Sequence, residues 1–82
     1  MRSDADDPEG AALTSAAVEG VRRALDRLSL DQRDVLLLRL FGRLTVAEVA
    51  LVTGKRPGAV KALQRRGLAS LRRHLLKEGV TL

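Results

Sequence analysis

Apolar residues recur at helical spacing along most of this chain. Between residues 18 and 28 they lie three or four positions apart, so that they share one face of a helix. These residues are Val18, Val21, Leu25 and Leu28. Residues 35–41 are apolar except for Arg39, which predicts a helix buried on several sides or bound to a partner. Shorter apolar groups follow, and the whole pattern predicts an all-α, four-helix domain.

Capping residues predict where the first two helices begin and end. Thr14 or Ser15 can cap the first helix with a side-chain oxygen. Ser29 and Gln32 have the spacing of a capping box, in which each side chain bonds to the backbone N–H of the other. Gly42 follows the apolar run and is expected to end the second helix.

The same kinds of residue delimit two further helices. Thr45 and Glu48 repeat the capping-box spacing, and Gly54 is expected to end the short third helix. Pro57 fits the first position of a helix, where its missing N–H costs nothing. The fourth helix is predicted to run from there to about Lys77, two residues before a glycine.

Small and apolar residues in the second half match a C-terminal helix-turn-helix with a long recognition helix. Ala50 supplies the small residue where the two helices cross, and Val49 beside it is expected to point inward. Gly54 comes four positions after Ala50, where the turn requires a positive φ. Val60 and Leu63 follow at the offsets of inward residues on the second helix. An ordinary helical hairpin is the alternative.

The charge of the chain is divided between its halves. Residues 1–34 hold five basic and eight acidic side chains, whereas residues 35–82 hold ten basic and two acidic ones. From Lys55 to Lys77 there are eight basic residues and no acidic one. This asymmetry indicates a polyanion partner for the C-terminal half, with a merely solvated basic face as the alternative.

Composition limits the other functions that the chain could have. Without cysteine it has neither a disulfide scaffold nor a thiolate metal site, and with one histidine a metal cluster or a catalytic triad is not expected. We therefore expect no enzyme, cofactor, metal or small-molecule substrate. Residues 1–13 are acidic and polar and are predicted to be a disordered tail or linker, not a signal peptide, ahead of a domain at 14–82. No apolar run reaches the length of a membrane span, so a cytoplasmic protein is expected.

The outward face of the fourth helix supplies the candidates for DNA contact. Lys61, Ala62, Arg65 and Arg66 are expected to meet base edges in the major groove. Gln64 could either pair with adenine or be a polar residue at the boundary between helices. The phosphate-contacting candidates are Arg43, Thr45, Val46, Lys55, Arg56, Arg72 and Arg73.

Three of these expectations depend on particular geometry. Thr45 and Val46 would offer the outward N–H groups of a helix N-terminus. Lys55 stands where the turn usually has an apolar residue, so either the turn is looser or the Lys55 stem lies on the core and leaves its ammonium free for a phosphate. His74, near the end of the fourth helix, is expected to be solvated and to complement the helix dipole.

Three segments resemble region 4 of bacterial extracytoplasmic-function (ECF) sigma factors. Residues 28–39 are similar to the family's "LPxxQRxVLLLR", residues 44–50 to "LSxxEIA", and residues 58–68 to "GAVRALQRRAL". The resemblance extends over about residues 18–75. Three positions depart from it: Ser29 replaces a proline, Lys55 an isoleucine and Gly67 an alanine.

The resemblance implies a function and partners. Region 4 binds the −35 element of double-stranded promoter DNA, with bases or nearby phosphates contacted at the positions of Lys61, Ala62, Arg65 and Arg66. Its first three helices hold the flap of the RNA polymerase β subunit, and an anti-sigma factor commonly covers the same surfaces. The polymerase-docking residues implied here are Leu36, Leu37, Leu40 and Phe41. Because the promoter-melting region 2 has no counterpart, the chain is expected to be a C-terminal fragment.

Two other interpretations remain open. A LuxR-type regulator or another helix-turn-helix regulator would share the architecture, although the Ile-Ser turn and the "TVKxH" helix typical of the LuxR type are missing. A protein-interaction module would instead bind its partner through the leucine-rich helix, and its arginines would serve only solubility.

Overall fold

The computed structural model describes residues 8–79, with side chains from residue 15 onward. This part of the chain is helical without strands, which confirms the all-α class. The helices are α1 (Pro8–Asp26), α2 (Leu30–Leu40), α3 (Val46–Thr53) and α4 (Pro57–Lys77). α4 packs against each of the other three, and α3 and α4 form the helix-turn-helix. No helix within this part is long and apolar enough to cross a membrane.

The first helix begins earlier than its capping residues predict. It starts at Pro8, so the expected start at Thr14 or Ser15 is wrong. A proline suits the first position of a helix, and alanines follow it closely, which together extend the helix toward the N-terminus. Residues 1–7 of the expected tail lie outside the described residues.

The buried residues of α1, which packs against α4, are small. Gly20 is buried, Ala24 is fully buried, and Leu28 is 7% exposed. Val18 belongs to the predicted stripe but is 55% exposed. Since Gly20 and Ala24 are four residues apart in α1, they share one face, and their small size favours close approach. Leu28 is buried just beyond the end of the helix.

The hydrophobic core lies where α2, α3 and α4 meet. It contains Val35, Val49, Ala50 and Val60, which confirms the inward pair predicted for α3. The partly buried residues around this cluster are Leu38, Leu44, Val46 and Leu63.

Gly67 allows α2 and α4 to pack closely beside this core. It is buried, and a Cβ there would lie 3.1 Å from Cδ1 of Leu36. Gly67, which stands where the family pattern has an alanine, thus faces the large buried side chain of Leu36.

The turn of the helix-turn-helix forms as predicted. Gly54 ends α3 with a φ of 70°, in the left-handed region that glycine adopts without steric cost. The Lys55 N–H donates to the Ala50 carbonyl at 3.1 Å and closes the turn. Pro57 is the first residue of α4, and the helix ends at Lys77, both as expected.

The end of α2 differs in detail from the prediction. The helix ends at Leu40, and the residue with positive φ is Arg43, at 56°, not Gly42. Gly42 is required for a different reason, because a Cβ there would lie 2.7 Å from the Leu38 carbonyl oxygen. Its N–H donates to the Leu37 carbonyl at 3.0 Å.

The two predicted capping boxes form to different extents. At α3 both reciprocal bonds between Thr45 and Glu48 are present. At α2 the Gln32 N–H donates to the Ser29 hydroxyl at 3.1 Å, which confirms the cap. The expected return bond from the Gln32 side chain is not among the hydrogen bonds of the described residues.

Candidate nucleic-acid interface

The helix-turn-helix presents one basic face of α4 to solvent. Lys61, Arg65 and Arg66 are exposed, while Ala62 is half-buried. Successive residues turn by about 100° around a helix, so these four lie away from the buried Val60. The outward orientation expected for the three cations is thus present, and the contacts of all four with DNA remain predictions.

An open depression lies along this face and has a volume of about 360 Å³. Its lining combines side chains from α2, the start of α3 and the first turns of α4. These residues are Arg39, Val46, Lys61, Gln64, Arg65 and Leu68. The structure thus brings two predicted base-contacting residues together with one predicted phosphate-contacting residue.

Arg39 holds this region together and was not among the predicted site residues. Its Nη1 donates to the Leu44 carbonyl at 2.6 Å, and its Nε donates to Oε1 of Gln64 at 3.0 Å. It therefore ties the α2–α3 connection to α4. The signal in the sequence was one charged residue inside an otherwise apolar run, a position where a long side chain needs partners.

The bond to Arg39 also bears on the two roles left open for Gln64. Its amide oxygen accepts from Arg39 of α2, so Gln64 has the helix-boundary role in this structure. Adenine pairing would require this same oxygen as an acceptor.

Lys55 does not have the free ammonium that the sequence suggested. Its Nζ lies 3.3 Å from Oδ1 of Asp31, at the start of α2, and its side chain is 27% exposed. This expectation was wrong because Asp31 is distant in sequence and its approach depends on the packing of α2 beside the turn. A contact between Lys55 and a phosphate stays a prediction, and it would compete with Asp31.

The N-terminus of α3 is less open to a phosphate than expected. The Thr45 N–H already donates to the Glu48 carboxylate at 2.8 Å, so the expectation that this amide points freely outward was wrong. The bonds from Thr45 lower the pKa of Glu48 and favour its anionic form. That carboxylate would repel a phosphate. Val46 follows in the first turn, and its role stays a prediction.

The remaining predicted phosphate contacts are exposed arginines on three parts of the fold. Arg43 lies in the α2–α3 connection, and Arg56 precedes α4. Arg72 and Arg73 lie in the second half of α4, where Arg73 also bonds the Ser70 hydroxyl at 3.2 Å. All four therefore keep accessible side chains.

One residue expected to dock a polymerase is not on the surface. Leu36 is 1% exposed, so this expectation was wrong: its side chain packs toward Gly67 inside the fold. Leu40 and Phe41 are 51% and 72% exposed, and Leu37 is half-buried. The apolar surface that continues from α2 is therefore carried by these three residues.

An open apolar groove of about 600 Å³ lies between α1 and α2. We call it the α1–α2 groove, and it contains three residues of the predicted aliphatic stripe, Val18, Val21 and Leu25. Its lining residues are Ala17, Val18, Val21, Arg22, Leu25, Leu37 and Phe41.

His74 is not the solvated residue that the sequence suggested. It is half-buried, and its Nδ1 is buried without a hydrogen-bond partner. Burial lowers the pKa of His74, and the charges of Arg27, Lys77 and Arg73 lower it further. The expectation was wrong because the last turns of α4 pack against the rest of the fold, although the arginines beside His74 in the sequence suggested an exposed position.

Comparison with known proteins identifies the family. The family model described as "Sigma-70, region 4" matches residues 19–71, which contain α2, α3, the turn and most of α4, together with the C-terminal part of α1. Among the described side chains, no group of three or more histidine, cysteine or acidic residues could hold a metal ion. No solved structure matches the chain significantly.

Relatives of the chain are ECF RNA polymerase sigma factors. The chain is 40% identical to BldN of Streptomyces coelicolor over 68 residues, which are 83% of this chain and 26% of BldN. Identity to ShbA of Streptomyces griseus is 38%, over 79% of this chain and 34% of ShbA. Identity to SigX of Bacillus subtilis is 34%, over 83% of this chain and 35% of SigX. The chain thus spans about a quarter to a third of these relatives' length, and it belongs to the sigma-70 region 4 family, as the region 4 domain of an ECF sigma factor.

Proposed function

We propose that this domain binds the −35 element of a promoter through the outward face of α4. It would act in the cytoplasm, as a non-enzymatic part of a transcription initiation factor. The observation that carries the proposal is the helix-turn-helix itself, which leaves Lys61, Arg65 and Arg66 exposed on the helix that this architecture places in the major groove.

The chemistry of this face suits the edges of base pairs. Arg65 and Arg66 carry planar guanidinium groups that can donate two bonds to O6 and N7 of guanine. Lys61 donates to the same acceptors or to a phosphate. Ala62 offers a methyl group that can contact the methyl group of thymine.

Exposed cations around the recognition face would fix the domain on the DNA backbone. Arg43 lies in the α2–α3 connection and Arg56 directly before α4, while Arg72 and Arg73 lie toward the C-terminal end of α4. Contacts of this kind set the orientation of a protein on the duplex and carry no sequence information themselves. They also make binding weaker as the salt concentration rises.

A second surface would join the domain to RNA polymerase. We propose that the β-subunit flap docks on the α1–α2 groove and the adjoining Leu40, because the apolar lining of this surface is open to solvent. An anti-sigma factor would act by covering this groove or the face of α4.

Arginine substitutions test DNA binding directly. Arg65→Ala and Arg66→Ala should each weaken binding to a −35-like duplex several-fold, because each removes donors to the major groove. The matched control is Arg22→Ala, which removes the same charge from an exposed side chain on α1, outside the outward face of α4. Fluorescence anisotropy with a panel of duplexes gives the affinities. Equal affinities for the wild type and both α4 variants would contradict the proposal.

A further inference from the structure

The bond between Arg39 and Gln64 fixes the orientation of the glutamine amide. A guanidinium has only donors, so the atom that it meets at 3.0 Å is the amide oxygen Oε1. A second bond, to the Leu44 carbonyl at 2.6 Å, restrains the guanidinium itself. The oxygen of Gln64 therefore faces Arg39, and its NH2 group points away from Arg39.

The NH2 group of Gln64 has room for a further partner. Gln64 lines the open depression on α4 together with Lys61 and Arg65. Among the described side chains, only Nδ1 of His74 is buried without a hydrogen-bond partner, so the Gln64 nitrogen reaches solvent. The only bond to the Gln64 side chain within the described residues is the one from Arg39. Two N–H donors thus lie on the face that carries the proposed DNA contacts.

We propose that Arg39 is a positioning residue for DNA binding, which restricts Gln64 to donating hydrogen bonds to an acceptor atom on DNA. This inference rests on the proposed function. A glutamine recognises adenine by using its nitrogen as a donor and its oxygen as an acceptor. Because Arg39 occupies the oxygen, Gln64 keeps only its donors. Its partner is then a phosphate oxygen or an acceptor on a base edge, such as O6 of guanine or O4 of thymine.

Two substitutions separate the roles of the paired residues. Gln64→Met keeps the length of the side chain and removes its donors, and it should weaken duplex binding about two- to ten-fold, the worth of one hydrogen bond. Arg39→Lys keeps the charge but loses the planar guanidinium group that donates to both Gln64 and Leu44, so the Gln64 amide becomes free to turn. The double variant should bind as Gln64→Met does. Arg27→Lys, an exchange at an exposed arginine on another part of the fold, is the matched control.

A panel of duplexes, each changed at one base pair, shows whether the acceptor atom lies on a base or on a phosphate. If the acceptor is on a base, Gln64→Met loses discrimination at one or two adjacent base pairs. Arg39→Lys then gains relative affinity for adenine there, and the gain disappears in the double variant. If the acceptor is a phosphate, Gln64→Met and Arg39→Lys both weaken binding to every duplex by a similar factor. Either pattern supports the proposal, since a purely structural Arg39 would not make its effect depend on Gln64.

Other results would overturn the inference. If Gln64→Met binds the duplex as tightly as the wild type, Gln64 does not contact DNA. If the double variant weakens binding by the product of the two single effects, Arg39 acts independently of Gln64. Thermal unfolding checks that each variant is folded. If Arg39→Lys does not fold, the NMR signals of the Gln64 side-chain NH2 group in the wild type provide a second measurement. Signals that do not shift when duplex DNA is added would contradict the proposal. A wild-type chain that binds no duplex would contradict the proposed function as well.

Discussion

At the scale of single residues, His74 makes the stability of the fold depend on pH. Burial lowers its pKa below the ordinary value, so the unfolded chain takes up the proton first as the pH falls. The contribution of neutral His74 to the free energy of unfolding is complete above about pH 6.5, the pKa of histidine in the unfolded chain. This contribution decreases as the pH drops from there toward the lower pKa that His74 has in the folded protein.

We therefore expect the free energy of unfolding of the wild type to fall between about pH 7 and pH 5.5, before most carboxylates titrate. His74→Leu removes the titrating group and should give a flatter curve over that interval. Urea unfolding at several pH values provides the measurement. The same slope for both proteins would contradict a depressed pKa at His74.

Gly42 provides a second residue-scale prediction. A Cβ at this position would lie 2.7 Å from the Leu38 carbonyl oxygen, so Gly42→Ala requires the backbone to shift. We expect a loss of about 1–3 kcal/mol in the free energy of unfolding, as for other overpacked sites. Gly58→Ala is the control, because a Cβ there meets nothing within 4 Å. Equal stability of the two variants in urea would rule out this close approach.

At the scale of elements, local sequence signals predicted α2, α3 and α4 well. Ser29, Thr45 and Pro57 begin these helices through hydrogen bonds or fixed dihedrals that involve only neighbouring residues. The start of α1 was missed because Thr14 and Ser15 could cap a helix, yet the chain is already helical from Pro8. Which face of α1 is buried was also missed, since close packing on α4 selects Gly20 and Ala24 over the larger aliphatic residues.

The α1–α2 groove leads to a prediction about partner binding. Phe41→Ser should greatly reduce retention of the domain by the β flap, because it removes the largest exposed apolar side chain beside the groove. Leu51→Ser on α3 is the control, at a leucine that is 84% exposed and does not line the groove. A pull-down with the isolated flap measures retention. No retention of the wild type would contradict docking of the flap on this surface.

At the scale of the whole molecule, the site depends on pairs that periodicity does not reveal. Arg39 meets Gln64, 25 positions later, and Lys55 meets Asp31. Both pairs form only after α2 has packed beside the helix-turn-helix, so neither follows from local spacing. The outward cations of α4 could be predicted because helical geometry alone places them opposite Val60. Leu36 was misassigned because an apolar run does not show which of its leucines the other helices cover.

Selection of bound sequences from random duplex DNA tests the central claim most directly. The full chain should enrich one short sequence element, and the selected duplex should bind more weakly as salt rises. Arg65→Ala or Arg66→Ala should relax the preference at the positions that those residues contact, while Arg22→Ala should leave it unchanged. Failure to enrich any sequence, or the same preference in all three variants, would contradict recognition of a promoter element by α4.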